Sequence, residues 1–311
     1  MRAVLKRTQR KIIRRAVDGV LLLDKPQGLT SNAALQTARR LLNAAKAGHT
    51  GTLDPMASGL LPLTFGEATK FSQMLLDADK AYEAGVQLGV DTDTGDAEGT
   101  VLATHPVAVS EEALREVLSR FVGDIDQVPP MYSALKRDGK PLYEYARAGI
   151  ELERSARRVR ISSIDLVSFD GSRFVIRVDC SKGTYIRSLA MDIGAALGCG
   201  AHLCALRRTR IGAFGIEDGV PLAQLEAAEM DVRDGMLAPA DTLVSAFPRI
   251  DLDAEQAQYM LQGRPLSLTE QGEGFARIYG PDAFLGLAEW KPDGKLWAKR
   301  LIATGEANQS T

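Results

Sequence analysis

Apolar positions fall in short blocks separated by turn residues, and the blocks change period along the chain. Gly19 to Leu23 reads as a short buried strand, followed by a turn at Asp24-Lys25-Pro26-Gln27-Gly28. Thr30 or Ser31 can cap a helix running to about Asn43, with Ala34, Leu35, Ala38, Leu41 and Leu42 near helical spacing. Leu60 to Phe65 is strand-like, and Pro62 suggests an edge strand or an irregularity. A short helix over Thr69 to Leu76 and a strand over Lys80 to Val90 follow. Ser110 caps a helix to Phe121, with Glu111 and Glu112 in its first turn. Ile161 to Phe169 and Arg173 to Cys180 form the clearest hairpin, joined at Asp170-Gly171. A helix then runs through Ala190 and Ile193 to Leu197 and is closed by Gly198. With no regular βαβ rhythm, the elements predict an α+β fold on a mixed sheet.

The texture changes near Arg249. A short helix over Asp253 to Leu261 precedes strands at Ala276–Tyr279, Phe284–Trp290 and Leu296–Ile302, with a turn at Pro292-Asp293-Gly294. These predict a small β-barrel-like domain, and 311 residues are more than one comfortable core needs. The expected division is a basic arm over residues 1–17, a main domain over 18–248 and a C-terminal domain over 249–311 with a frayed tail.

The net charge of −2 hides an uneven distribution. Residues 1–15 carry seven Lys or Arg and no acid; the remaining 31 bases face 40 acids, a balance of −9. A basic arm on a mildly acidic body suits either a nucleic-acid binder or a solvated tail. Between residues 123 and 160, Tyr132, Tyr143 and Tyr145 alternate with Lys136, Arg137, Arg147, Arg154, Arg157, Arg158 and Arg160. Aromatics among bases suit stacking on unpaired nucleobases beside phosphate contacts, or else a protruding charged hairpin. Val20 to Leu23, the longest apolar run near the start, is too short for a membrane span or a signal-peptide core. The expected location is therefore the cytoplasm. Cys180, Cys199 and Cys204 lack metal-ligand spacing and read as buried free thiols.

The densest cluster of special residues is Gly48-His49-Thr50-Gly51-Thr52-Leu53-Asp54-Pro55, continued by Met56-Ala57-Ser58-Gly59. Asp54 is the only acid between Asp24 and Glu67, and Pro55 pushes its backbone toward an extended form. A glycosidase would need a second carboxylate, which has no comparable loop context here, although sequence distance leaves one open. There is no G-x-S-x-G for a serine nucleophile, and three scattered histidines offer little for a metal. Asp91 to Asp96 superficially resembles a calcium loop but has Asp96 at the glycine position and Leu102 at the glutamate position. It reads as an acidic hairpin tip. What remains is one carboxylate acting as a nucleophile, ionised at neutral pH.

The Asp54 segment, with Gly59 and Pro62 behind it, resembles the catalytic loop of the TruB family, bacterial tRNA pseudouridine synthases acting on uridine 55 of the TΨC loop. Further segments match in order: Leu23 to Gly28, Phe65 to Phe71, Asp79 to Tyr82, Met131 to Lys136, Lys182 to Arg187, and Ala201 to Leu203 with Leu206 to Arg208. The resemblance spans roughly residues 18 to 303. It implies a pseudouridine synthase catalytic domain with a thumb-like insertion at about 123–160 and a PUA-like C-terminal domain. It also implies an isomerase that flips a uridine of the tRNA stem-loop into a pocket, with no metal, no cofactor and no obligate protein partner. Asp54 matches the nucleophile, Tyr82 a residue stacking on the base, and Tyr185 and Leu206 substrate contacts. His49 would engage the RNA, Arg187 would pair with Asp54, and Lys25 would give electrostatic support. Met56 and Ser58 stand where the family often has leucine and threonine.

Overall fold

The computed structural model describes residues 13–303. Arg2, Lys6, Arg7, Arg10 and Lys11 of the basic arm, and the tail from Gly305 onward, lie outside the described residues. The described end of the arm is docked: Arg15 pairs with Asp234 at 2.5 Å, and Arg14 Nη1 donates to the Ala44 carbonyl at 3.3 Å.

A mixed sheet dominates the chain, as the pattern predicts. Its strands run in the order Val220–Pro221, Gly19–Lys25, Ala57–Phe65, Ala201–Ile211, Lys80–Leu88, Arg173–Cys180, Arg157–Phe169 and Gly123–Gln127. The first pair and the pair Ala57–Phe65 with Ala201–Ile211 are parallel; the other neighbours are antiparallel. The unbroken apolar run at Val20 to Leu23 has a direct cause. Leu21 and Leu23 pack into the main core, whereas Val20 and Leu22 enter a second core on the opposite face. Leu61 and Leu63 against Leu60 repeat that division on the neighbouring strand. Strands covered on both faces need apolar residues at every position. Farther along the sheet, Tyr82, Ala84 and Val86 face the core while Glu83 faces outward to Arg177, and alternation appears.

Helices cover the main core: Ser31–Leu41 through Ala34, Leu35 and Ala38, Glu111–Arg120 through Leu114, Val117 and Leu118, and Ile186–Leu197 through Ile186, Leu189 and Ile193. Thr30, not Ser31, caps the first by accepting from the Ala33 amide at 3.0 Å.

Several expectations need correction. Asp24 and Lys25 end the first strand and are not part of the turn expected over Asp24 to Gly28. Pro62 lies in an interior strand, but in a gap on one side. Ala57 to Gly59 pair with Leu206 to Arg208, and Leu63 to Phe65 pair with Ala47 to His49. Pro62 contributes a carbonyl there, which accepts from the Thr50 amide at 3.1 Å. Cys204 is half-buried, unlike Cys180 and Cys199. The long strand Ala201–Ile211, at the centre of the sheet, has no counterpart in the hydrophobic pattern.

The 123–160 region is rooted in the sheet, since Gly123 to Gln127 pair with Arg157 to Ile161. Between them the chain makes a small hairpin at Lys136–Arg137 and Lys140–Pro141, then a helix over Leu142–Arg147. Asp138 and Gly139 both have positive φ, the requirement of a type I′ turn.

From Arg249 a second sheet forms, in the order Arg249–Asp251, Phe275–Tyr279, Phe284–Trp290 and Leu296–Leu301, around its own core. Its helix Ala254–Leu261 starts with a reciprocal capping box between Asp253 and Gln256. This unit docks on the second core of the main sheet: Phe284 packs on Phe71 at 5.6 Å, and Leu287 joins that core. Lys70 donates to the Leu301 carbonyl at 2.8 Å, and Glu67 accepts from the Ala303 amide at 2.6 Å.

Candidate active site

Asp54 lies on a lasso whose two ends, Ala47–His49 and Ala57–Phe65, pair with each other. The lasso is tied from inside. Ser31 Oγ donates to the Leu53 carbonyl at 2.9 Å and accepts from the Leu53 amide at 2.8 Å. The Gly28 amide donates to the Pro55 carbonyl at 2.8 Å, and the Ala57 amide to the Asp54 carbonyl at 3.1 Å. The loop closes on the central strand through Gly59, which has φ +101°. A Cβ there would stand 2.3 Å from the Arg208 carbonyl oxygen, so glycine is required.

Arg187 enters from the first turn of the helix that follows the hairpin. Its side chain is 5% exposed, and Nη2 sits 2.9 Å from Asp54 Oδ2. The same group lies 3.4 Å from Asp96 Oδ2 and donates to the carbonyls of Thr94 at 3.2 Å and Tyr132 at 2.6 Å. Held on four sides, it fixes the Asp54 rotamer. Burial pushes the Asp54 carboxyl above its ordinary range; Arg187 opposes this, and the Asp96 charge adds to it. The side chain keeps 37% of its surface, and that open face looks into two cavities that meet at Asp54.

The first cavity, about 360 Å³, is walled by Asp54, Tyr82, Tyr185, Arg187, Leu206 and Arg208. Of the residues singled out from sequence, five meet here. Tyr82 and Leu206 are buried in the core up to the cavity wall, which gives the pocket one aromatic and one aliphatic side. Tyr185 is held by its backbone: buried Gln127 accepts from its amide at 2.7 Å and donates to its carbonyl at 3.0 Å. Asp54 is the one carboxylate among the described residues lining this space.

His49 falls elsewhere. It lines the second cavity, about 550 Å³, with Tyr132, Tyr143 and Arg147 from the insertion. Its Nδ1 is buried without a partner, and burial, helped by the charge of Arg208, lowers its pKa. Lys25 lines neither cavity. It is fully buried, donates to the carbonyls of Pro26 at 2.9 Å and Leu29 at 2.7 Å, and is lowered by burial to about 8. Its direct work is to fold the Pro26–Leu29 turn under the Asp54 loop, while its charge also reaches Asp54.

Sequence reasoning missed three parts of the site. Asp96, read as a solvated hairpin tip, is buried against Arg187; its Oδ1 accepts from Thr94 Oγ1 at 2.6 Å and the Glu98 amide at 3.1 Å. Ser31, weighed only as a helix cap, holds the Asp54 loop. Arg208 is buried in the cavity wall, and the signal for it was its position two residues after Leu206, on the same face of a strand.

Three stretches of the chain match models of one protein family. Residues 39–186 match the N-terminal domain of the TruB family pseudouridylate synthases. Residues 187–245 match the tRNA pseudouridylate synthase B C-terminal domain, and residues 248–302 match the C-terminal region of pseudouridine synthase II TruB. The chain is 69% identical over 296 residues to the tRNA pseudouridine synthase B of Azoarcus sp. (strain BH72), covering 95% of this chain and 98% of the relative. It is 58% identical over 303 residues to the protein of that name from Burkholderia mallei, covering 95% and 97%. Among solved structures, a chain of a Cbf5-Nop10-Gar1 complex superposes with a TM-score of 0.66 at 30% identity, over 87% of this chain and 78% of that one. The chain belongs to the TruB family of pseudouridylate synthases.

Proposed function

We propose that this enzyme converts uridine 55 in the TΨC stem-loop of tRNA to pseudouridine, with Asp54 as its nucleophile. The tRNA pseudouridine synthase activity follows from the family and its close relatives; the target position and the residue roles are inferred. The observation that carries them is one loop-borne carboxylate, paired to a buried arginine, in a pocket with an aromatic wall. A base inside a folded RNA loop reaches such a pocket only by flipping out of its stack. Tyr82 would stack on the flipped uracil, and Tyr185 and Leu206 would bound it. Asp54 then adds to the ribose or removes a sugar proton, the bond from N1 to C1′ breaks and the uracil turns. C5 joins C1′ as Asp54 leaves or the sugar proton returns, and C5 loses a proton while N1 gains one. Arg187 keeps Asp54 aimed and favours its charged form. His49, in the adjoining cavity, would engage neighbouring nucleotides, and Lys25 would support the loop.

The insertion at about 123–160 is assigned as a thumb over the RNA, and residues 249–311 as a PUA-like RNA-binding domain. Tyr143 with Arg147 stacked on it at 5.3 Å supports the first assignment. Among the described residues, no helix is long and apolar enough to cross a membrane. The cytoplasm, where tRNA is available, is the proposed location. Pseudouridine mapping in tRNA from a strain lacking this protein tests the target. Uridine should remain at position 55; an intact modification there would overturn the assignment.

A further inference from the structure

Arg208 is among the largest fully buried side chains, at 1% exposure, and it forms no ion pair among the described residues. Its neighbours differ: Arg207 pairs with Asp24 at 2.8 Å, and Arg187 with Asp54 and Asp96. Burying an unpaired cation is costly, and such a charge persists where something anionic will meet it. The Arg208 guanidinium donates from Nε to the Leu60 carbonyl at 2.7 Å and from Nη2 to the Gly51 carbonyl at 3.4 Å. Nη1 lies 3.6 Å from the place a Cβ on Gly51 would occupy, and the guanidinium acts on the Tyr82 hydroxyl beside it, opposing the rise in that group's pKa that burial causes.

The other cations around the first cavity are committed. Lys80 spends its ammonium on the carbonyls of Leu75, Leu76 and Ala78 at 3.3, 2.8 and 2.6 Å. Both terminal nitrogens of Arg187 are engaged. Strand register sets Arg208 between Gly59 and Tyr82, so the guanidinium lies beside the aromatic wall.

We propose that Arg208 is a catalytic residue that stabilises the negative charge of the departing uracil, an inference that rests on the isomerisation proposed above. When the bond between C1′ and N1 breaks, its electron pair stays on the uracil and spreads over N1, O2 and O4. This holds whether Asp54 bonds to C1′ or removes a sugar proton. The Nη1–H of Arg208 donates to a carbonyl oxygen of that anion. Later C5 uses the ring's electrons to bond C1′ while the bond from Asp54 to C1′ breaks or the sugar proton returns. The proton then lost from C5 is matched by one gained at N1, which leaves the product neutral. A fixed donor in a water-poor pocket stabilises such charge without reorganisation.

The test is single-turnover kinetics with Arg208→Met and Arg208→Lys, on tRNA carrying uridine or 5-fluorouridine at the target. Cleavage is read as loss of the parent nucleoside after digestion. Fluorine at C5 withdraws electrons and makes uracil a better anionic leaving group. Arg208→Met should slow uridine cleavage about 100-fold or more at unchanged tRNA affinity. The loss on 5-fluorouridine should be several-fold smaller, and Arg208→Lys should fall between. Arg208→Lys keeps the cation and serves alone should Arg208→Met not fold. Equal losses on both nucleosides would reduce Arg208 to a structural role, and lost affinity at unchanged rate would make it a phosphate ligand; either overturns the proposal. A wild-type protein that leaves uridine unchanged would overturn the reaction instead.

Discussion

At Asp54, burial raises the carboxyl pKa while Arg187 pulls it down, and the residue remains shifted upward. The sign of the pH dependence follows. The folded protein holds this proton more tightly than the unfolded chain, so the contribution of Asp54 to stability falls as pH rises through the interval above 3.8. As the proposed nucleophile Asp54 acts in its charged form, so the rate should decline on the acid side with a midpoint above that of free aspartate. A pH profile of single-turnover rates checks this; a midpoint at or below 3.8 would contradict it. Asp54 was legible because it stands alone on a glycine- and proline-rich loop. Asp96 was not, because an acidic loop looks solvated until Arg187, distant in sequence, folds over it.

Among elements, the Asp54 lasso and the central strand depend on one another at Gly59. Gly59→Ala would force a Cβ into the Arg208 carbonyl at a φ that side chains rarely adopt. The expected loss is about 2–4 kcal/mol in urea unfolding, with activity falling alongside. Unchanged stability would mean the two strands do not approach so closely. The helices and the hairpin were readable because period and caps agree, as at Ser110 and Gly198. The strand Ala201–Ile211 was not, for a physical reason. Arg207, Arg208 and Arg210 interrupt its apolar alternation because they serve partners across the sheet and the cavity: Asp24, the Asp54 loop and Asp179. Pro62 likewise predicted an edge, since pattern alone does not reveal a gap between two neighbouring partners.

For the whole molecule, function rests on bringing distant segments onto one sheet. Asp54, Tyr82, Arg187 and Leu206 come from four separate stretches, and no local pattern joins them. The two-sheet division was legible from the change of texture near Arg249, whereas the docking through Phe71 and Phe284 was not. Removing residues 1–12, which carry Arg2, Lys6, Arg7, Arg10 and Lys11, should weaken tRNA binding and flatten its dependence on salt. Arg15 keeps its ion pair with Asp234 in that variant, so the melting temperature should hold. An unchanged salt slope would mean that these residues do not meet phosphate. Asp54 is proposed to perform the chemistry in a pocket that binds tRNA with or without its charge. The most direct measurement compares wild type with Asp54→Asn on unmodified tRNA, following both pseudouridine at position 55 and tRNA affinity. Conversion by the wild type, and retained binding with no conversion by Asp54→Asn, is the predicted result; conversion by Asp54→Asn at the wild-type rate would contradict it.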